Sequence, residues 1–121
     1  HGLQQADVVL PLRDEGVLVV GSGSLTHNLY EFRGAHGADA PYARAFSDWV
    51  RDTLQRQDHI SLLQTMALAP HAERAHPTPD HLLPLMVAAG AAGADVPVQW
   101  LDGGITHGVL SMDSFVFDPI Q

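Results

Sequence analysis

Gly16-Val17-Leu18-Val19-Val20-Gly21-Ser22-Gly23-Ser24-Leu25-Thr26-His27-Asn28-Leu29 is the stretch whose reading decides the fold. Its apolar part, Val17 to Val20, is continuous rather than alternating, and three of its four residues are β-branched. Such a run suits a strand covered on both faces, as in a parallel or mixed sheet with helices packed against it. Gly21-Ser22-Gly23-Ser24 then ends the strand in a permissive turn. Ligands of open α/β sheets sit beyond the carboxyl ends of the strands. The segment after this turn, with His27 in it, is therefore the first place to look for chemistry.

Upstream, Gln4 to Leu12 suits a helix limited by Pro11, followed by a turn at Arg13 to Gly16. Downstream, Tyr42, Phe46, Trp49, Val50 and Thr53 recur at spacings of three and four, which predicts a helix from Pro41 to about Arg56. Asp58 is placed to cap a second helix through Ile60, Leu62, Leu63 and Met66, ended near Leu68 by Pro70. Residues 70–77 have a loop composition. Thr78 and Pro79 open a third helix as cap and first residue, and it carries Leu82 to Ala89 until Gly90 and Gly93 end it. Pro84 falls at its sixth position and should bend it. The helix is apolar nearly all round, which predicts a central place. Val96–Leu101 and Val109–Phe117 read as two further strands, with Pro97 putting the first near an edge or at its own start. The pattern is α/β: a mixed or parallel central sheet flanked by helices. No initiator methionine stands at position 1, so residues 1–121 are expected to be part of a larger domain.

Composition removes several classes of function. All six basic residues are arginine, and the absence of lysine excludes a Schiff-base or phosphate-loop lysine. The formal net charge of -8 argues against nucleic acid and against acidic membrane surfaces. The absence of cysteine removes disulfides, thiolate nucleophiles and iron–sulfur ligation. No run reaches the ~18 apolar residues of a membrane span, and the expected location is a soluble interior one, the cytoplasm. Charged residues make up only 17%, against a typical ~25%. A low charged fraction fits a chain largely buried, in a core or against something outside it.

Eight histidines invite the question of metal or proton transfer. An imidazole at His27 suits proton transfer at a strand end. The bland alternative is a capping segment in which Ser24, Thr26 and Asn28 satisfy loop backbone groups. The glycines match neither a dinucleotide fingerprint nor the G-x-S-x-G nucleophile elbow. With Thr78 as cap, His81 stands in a first helical turn, whose field favours the neutral ring that a divalent metal requires. Simple packing or capping is the plain reading, and for Asp80 a charge interaction with the same helix end is the whole expected role. His76, five residues earlier, could face a cleft, but the pair lacks H-E-x-x-H spacing. His36, in Gly34-Ala35-His36-Gly37, stands either in a pocket-covering loop that orients a ligand or in a surface turn, with Arg33 nearby to pair with a carboxylate. His59, His71 and His107 carry no assigned role. None of Glu31, Asp39 and Glu73 is placed to complete a two-histidine, one-carboxylate iron site.

The Gly16–Leu29 stretch resembles the central signature of the DOPA 4,5-dioxygenase-like enzymes, a group of class III extradiol ring-cleaving dioxygenases. Pro41-Tyr42 and the Phe46-to-Val50 helix face agree in order. So do Pro77-Thr78-Pro79-Asp80-His81-Leu82-Leu83-Pro84-Leu85 and Leu110-Ser111-Met112-Asp113-Ser114-Phe115. The resemblance implies the C-terminal half of an α/β enzyme with non-haem iron(II), or zinc(II) in prepared protein. The missing N-terminal half would supply two histidine ligands. It further implies His81 as the third metal ligand, His27 as general acid/base and, after a small shift of alignment, His36 as a substrate-binding residue. Asp80 stands where many relatives have glutamate. The implied reaction opens a catechol-type ring with dioxygen to a muconic semialdehyde-type product. A non-catalytic metal- or small-ligand-binding protein on the same fold and an interaction half of an assembly are the competing expectations; self-association into a homo-oligomer stays open.

Overall fold

The computed structural model describes residues 11–12, 14–28, 31, 39–93 and 96–117. The helix expected over Gln4–Leu12 lies mostly outside this set, as do Arg33 and His36.

Helix α1 (Pro41–Gln55) begins on a proline, whose missing N–H would find no intrahelical partner at that position anyway. Of the expected face, Tyr42, Phe46, Val50 and Thr53 are buried and Trp49 packs half-buried at its margin; Ala43 and Leu54 are buried beside them. Asp58 caps α2 (His59–Leu63) as expected: its carboxylate accepts the Ser61 N–H at 3.0 Å. The helix does not run on to Leu68 in one piece. It breaks at Gln64 and resumes as α3 (Thr65–Leu68). At the break the Thr65 hydroxyl donates to the Leu62 carbonyl, a side-chain bond that competes with the helical ladder. A one-turn helix, α4 (Ala72–Ala75), lies inside the expected loop and buries both of its terminal alanines.

The helix expected from Thr78 onward is divided in two. Pro79–His81 form a 3₁₀ turn, and α5 (Leu83–Ala92) starts after it. Pro84 is the second residue of α5 rather than an interior one, so it opens the helix where expectation had it bend one. The missing N–H is accommodated by restarting the helix around it. Gly90 is passed through, and Gly93, at φ +91°, ends the helix. Met86, Ala89, Ala91 and Ala92 are buried, but Leu83, Leu85 and Val87 are only half so, which is less central than predicted.

The parallel or mixed central sheet is not found among the described residues. Among the described residues there are two small antiparallel sheets. β1 (Val98–Leu101) pairs with β4 (Ser114–Phe117), Val98 opposite Phe117 and Leu101 opposite Ser114. β2 (Ile105–Thr106) pairs with β3 (Leu110–Ser111). Pro97 lies just ahead of β1, as its missing donor requires. The expected Val109–Phe117 strand is interrupted at Met112 and Asp113. There the Met112 N–H bonds the Gly104 carbonyl and the Asp113 carboxylate accepts the Gly103 N–H. Val17–Val20 form no strand: Leu18 is 84% exposed and Val20 75%. A strand exists only through its ladder, and no partner stands beside this one among the described residues. It faces Phe115–Phe117 of β4 and Ala88, Ala91 and Ala92 of α5 across an apolar cleft.

The result is a predominantly helical domain with two small antiparallel sheets. Its core joins Phe46, Val50 and Leu54 of α1 to Leu25, Leu62, Leu82, Met86 and Val109. Among the described residues no helix is long and apolar enough to cross a membrane.

Candidate functional site

Two short segments, 24–28 and 74–81, are fastened side by side. The Ser24 N–H donates to the His81 carbonyl at 3.0 Å and the His27 N–H to the Ala75 carbonyl at 2.8 Å. The Asn28 side-chain amide donates to the Arg74 carbonyl at 2.7 Å, and the His76 ring meets the Leu25 carbonyl at 2.6 Å. From the other side, the Thr26 hydroxyl donates to the Val109 carbonyl at 2.6 Å and accepts the Ser111 N–H at 2.7 Å. The capping role considered for Ser24, Thr26 and Asn28 is therefore real. It fixes the backbone that carries His27.

The glycine turn serves the same end. A Cβ on Gly21 would collide with the Pro84 carbonyl, and one on Gly23 with that of His81. The turn thus packs on the chain's own backbone at His81 and Pro84.

This fastening brings His27 and His81 together. Their rings stack with centroids 3.6 Å apart and planes 24° from parallel. His81 closes the 3₁₀ turn, just outside α5, and is exposed, while His27 is half-buried. Thr78 is the N-cap residue of that turn but makes no side-chain capping bond, so the expected first turn of a long helix is replaced by a short one. Asp80 stands in the same turn, exposed. His81 also lines a cleft of about 380 Å³, together with Gly21 to Leu25, Leu85, Ser114 and Phe115. That volume lies within the ~300–1,000 Å³ of small-molecule sites. His27 is not part of this lining; it stacks on His81, which is.

His76 does not face the cleft; it is 0% exposed. Its ring meets Phe46 edge-on at 5.4 Å. Burial pushes its pKa down, against the opposing bond to Leu25, with smaller contributions in the same downward direction from His27 and His81. Nothing in its spacing marked it as a core residue. The only sign was its place directly ahead of Pro77, where the chain must extend.

Two of the carboxylates weighed as metal ligands are engaged elsewhere. Glu31 accepts a two-pronged bond from Arg74 at 2.8 and 2.6 Å, and Arg74 also lies over the Tyr42 ring. Asp39 pairs with Arg44 at 3.0 Å. Glu73 is exposed on α4. His59 opens α2, His71 precedes α4, and His107 sits in the β2–β3 turn, all away from the stacked pair in sequence. Among the described residues no group of three or more histidines, cysteines or carboxylates could hold a metal ion.

Comparison with known proteins bears on what this arrangement does. The profile of the catalytic LigB subunit of aromatic ring-opening dioxygenase matches residues 5–117. A 4,5-DOPA dioxygenase extradiol of Beta vulgaris is 34% identical over 117 residues, 97% of this chain and 44% of the relative. The protein of the same name from Escherichia coli strain K12 is 35% identical over 105 residues, 84% of this chain and 38% of the relative. A crystal structure of an uncharacterized Escherichia coli K12 protein superposes with a TM-score of 0.76 at 30% identity, covering 94% of this chain and 48% of that one. The chain thus spans less than half the length of these relatives.

Proposed function

Because the chain belongs to the family of the catalytic LigB subunit of aromatic ring-opening dioxygenases, we propose that it acts within a non-haem iron(II) enzyme that opens a catechol-type ring with dioxygen. The product would be of the muconic semialdehyde type. The observation that carries this reading is the stacked His27–His81 pair beside a cleft with Leu85 and Phe115 in its wall. An imidazole suits a divalent metal such as iron(II) or, in prepared protein, zinc(II). The exposed ring of His81 fits that role as one donor of a set. Further donors are proposed to come from polypeptide outside these 121 residues, so the chain alone should bind iron weakly and not turn over.

When bound, the metal supplies the positive charge that acidifies a catechol hydroxyl and the redox centre that ring opening with dioxygen requires. The chain's own residues divide the remaining work. A ring nitrogen of His27 takes the proton from a catechol hydroxyl and returns one as the ring opens. Leu85 and Phe115 lie against the aromatic ring and keep water from it. His36, outside the described residues, is assigned to substrate binding, and the cytoplasm is the proposed location.

In the assembled enzyme, His27→Ala should keep the metal and slow ring opening by roughly 10²–10⁴-fold. His81→Ala should instead lose most of the metal while the helices persist. Metal analysis with single-turnover kinetics separates the two. Loss of metal in His27→Ala, with the chemistry restored by added iron, would make His27 a ligand. Ligand binding without oxygen uptake on any catechol would favour a non-catalytic binding protein.

A further inference from the structure

We propose that His76 is a positioning residue, whose buried imidazole holds the Leu25 carbonyl and thereby keeps the His27 ring stacked on His81. The inference deepens the reading above, since the pair it acts on is the proposed site.

The argument begins with the ring's two nitrogens. A carbonyl oxygen only accepts, so the 2.6 Å contact to Leu25 requires a proton on Nε2. Nδ1 is buried and has no hydrogen-bond partner among the described residues. A proton there would be a donor without an acceptor, whereas a bare lone pair is the less costly state. The chemistry of the pocket thus selects a neutral ring with Nε2–H. Phe46 of α1, fully buried, lies against the same ring and leaves it little freedom to turn.

The position of that bond is what matters for the site. Leu25 is two residues before His27, and His76 is five before His81. The neighbouring residue of each partner is tied as well, Ser24 to the His81 carbonyl and His27 to the Ala75 carbonyl. These two bonds and that of Asn28 also join the segments, Ala75 and Asn28 being buried; the His76 bond is the one whose own ring packs against Phe46 of α1. Without it, Leu25 keeps a buried carbonyl with no donor. The 24–28 segment must then move toward water or take up another partner, and His27 moves with it. An apolar residue at position 76 could fill the space but could not hold the carbonyl. A glutamine could do both, since its amide nitrogen lies at a similar reach to Nε2 of histidine.

The test uses the metal-free 121-residue chain and reads no activity, so it fails or succeeds independently of the catalytic assignment. Long-range proton–nitrogen NMR of the imidazoles reports tautomers directly, and stacked rings at 3.6 Å shift each other's ring protons upfield. We expect His76 as the Nε2–H tautomer and upfield-shifted ring protons on His27 and His81. His76→Phe should lose at least half of that upfield shift with its helical circular dichroism retained, and His76→Gln should restore most of it. An Nδ1–H tautomer at His76 in the unaltered chain would overturn the proposal, whether or not the phenylalanine variant folds. So would a folded His76→Phe in which the His27 and His81 shifts are unchanged, or a folded His76→Gln that loses them.

Discussion

Residues 17–20 and residues 24–28 stand four positions apart and behave in opposite ways. The first segment is wholly apolar, yet it is largely exposed and, among the described residues, pairs with no other strand. The second carries serine, threonine, histidine and asparagine around one leucine, yet Leu25, Thr26 and Asn28 are all buried. Hydrophobicity alone would order them the other way. The difference lies in where each segment's hydrogen-bond partners are. A strand needs a second strand along its whole length, and its own side chains cannot substitute for one. The polar segment carries connectors in the side chains of Thr26 and Asn28, which meet backbone at 109–111 and Arg74, and its Leu25 carbonyl meets the His76 ring, all within the same 121 residues. Burial here follows available partners more closely than it follows apolarity.

The sharpest way to break this contrast is at the glycines that join the two segments. Gly23→Ala places a methyl against the His81 carbonyl, which is backbone and cannot swing aside. We expect a loss of about 2–4 kcal/mol in urea unfolding, at or above the usual range for overpacking. The stacked signature of His27 and His81 should go with it. Gly16→Ala is the comparison. That residue has φ +81° with nothing near its would-be Cβ, so only the backbone strain remains, about 1 kcal/mol. Equal costs at the two sites would mean that close approach to α5 is not what position 23 needs.

What could be read in advance divides along the same line. Helix α1 and the Asp58 cap of α2 depend on residues three or four apart, and both were legible. Pro84 was recognised as a disturbance but set in the wrong place, because the break at Leu82 depends on how 21–24 pack across the 3₁₀ turn. The sheet was misjudged because an apolar run states a need for a partner and not the partner's presence. His27 and His81 each drew attention for local reasons, a turn after an apolar run and a helix start. Their stacking, and the bond of the buried His76 to Leu25, depend on contacts spanning about fifty residues, which no local pattern contains.

A second way to sharpen the contrast is pH, because the polar segment is tied to a buried titratable ring and the apolar one is not. The His76 pKa lies below its ordinary value of 6.5, mainly through burial. Between that lowered value and 6.5 the unfolded chain binds more protons than the folded one, so stability rises with pH in this window. The contribution is fully present above about 6.5 and is lost as the pH falls toward the folded value, with no further loss below it. Urea midpoints from about pH 7.5 down to about pH 5 should fall in the native chain and fall less in His76→Gln. Parallel curves for the two would show that another histidine carries the effect.

The smallest effect is expected where the sequence is most hydrophobic. Leu18 is 84% exposed, so replacing it removes little from the core. Leu18→Lys keeps an apolar stem along the cleft that faces Phe115–Phe117 and puts its charge in water. In a chain of net charge -8 the added cation also meets no excess of like charge. The change in unfolding free energy should stay within about 0.5 kcal/mol, as for ordinary surface positions. Leu25→Ala, seven residues on, removes a side chain that is 6% exposed and should cost about 2–5 kcal/mol. Urea unfolding of the two variants side by side tests the comparison at its weakest point. Should Leu18→Lys destabilise the chain as much as Leu25→Ala, the apolar run would have to be packed in solution, and the contrast between an unpartnered strand sequence and a self-sufficient polar loop would fail.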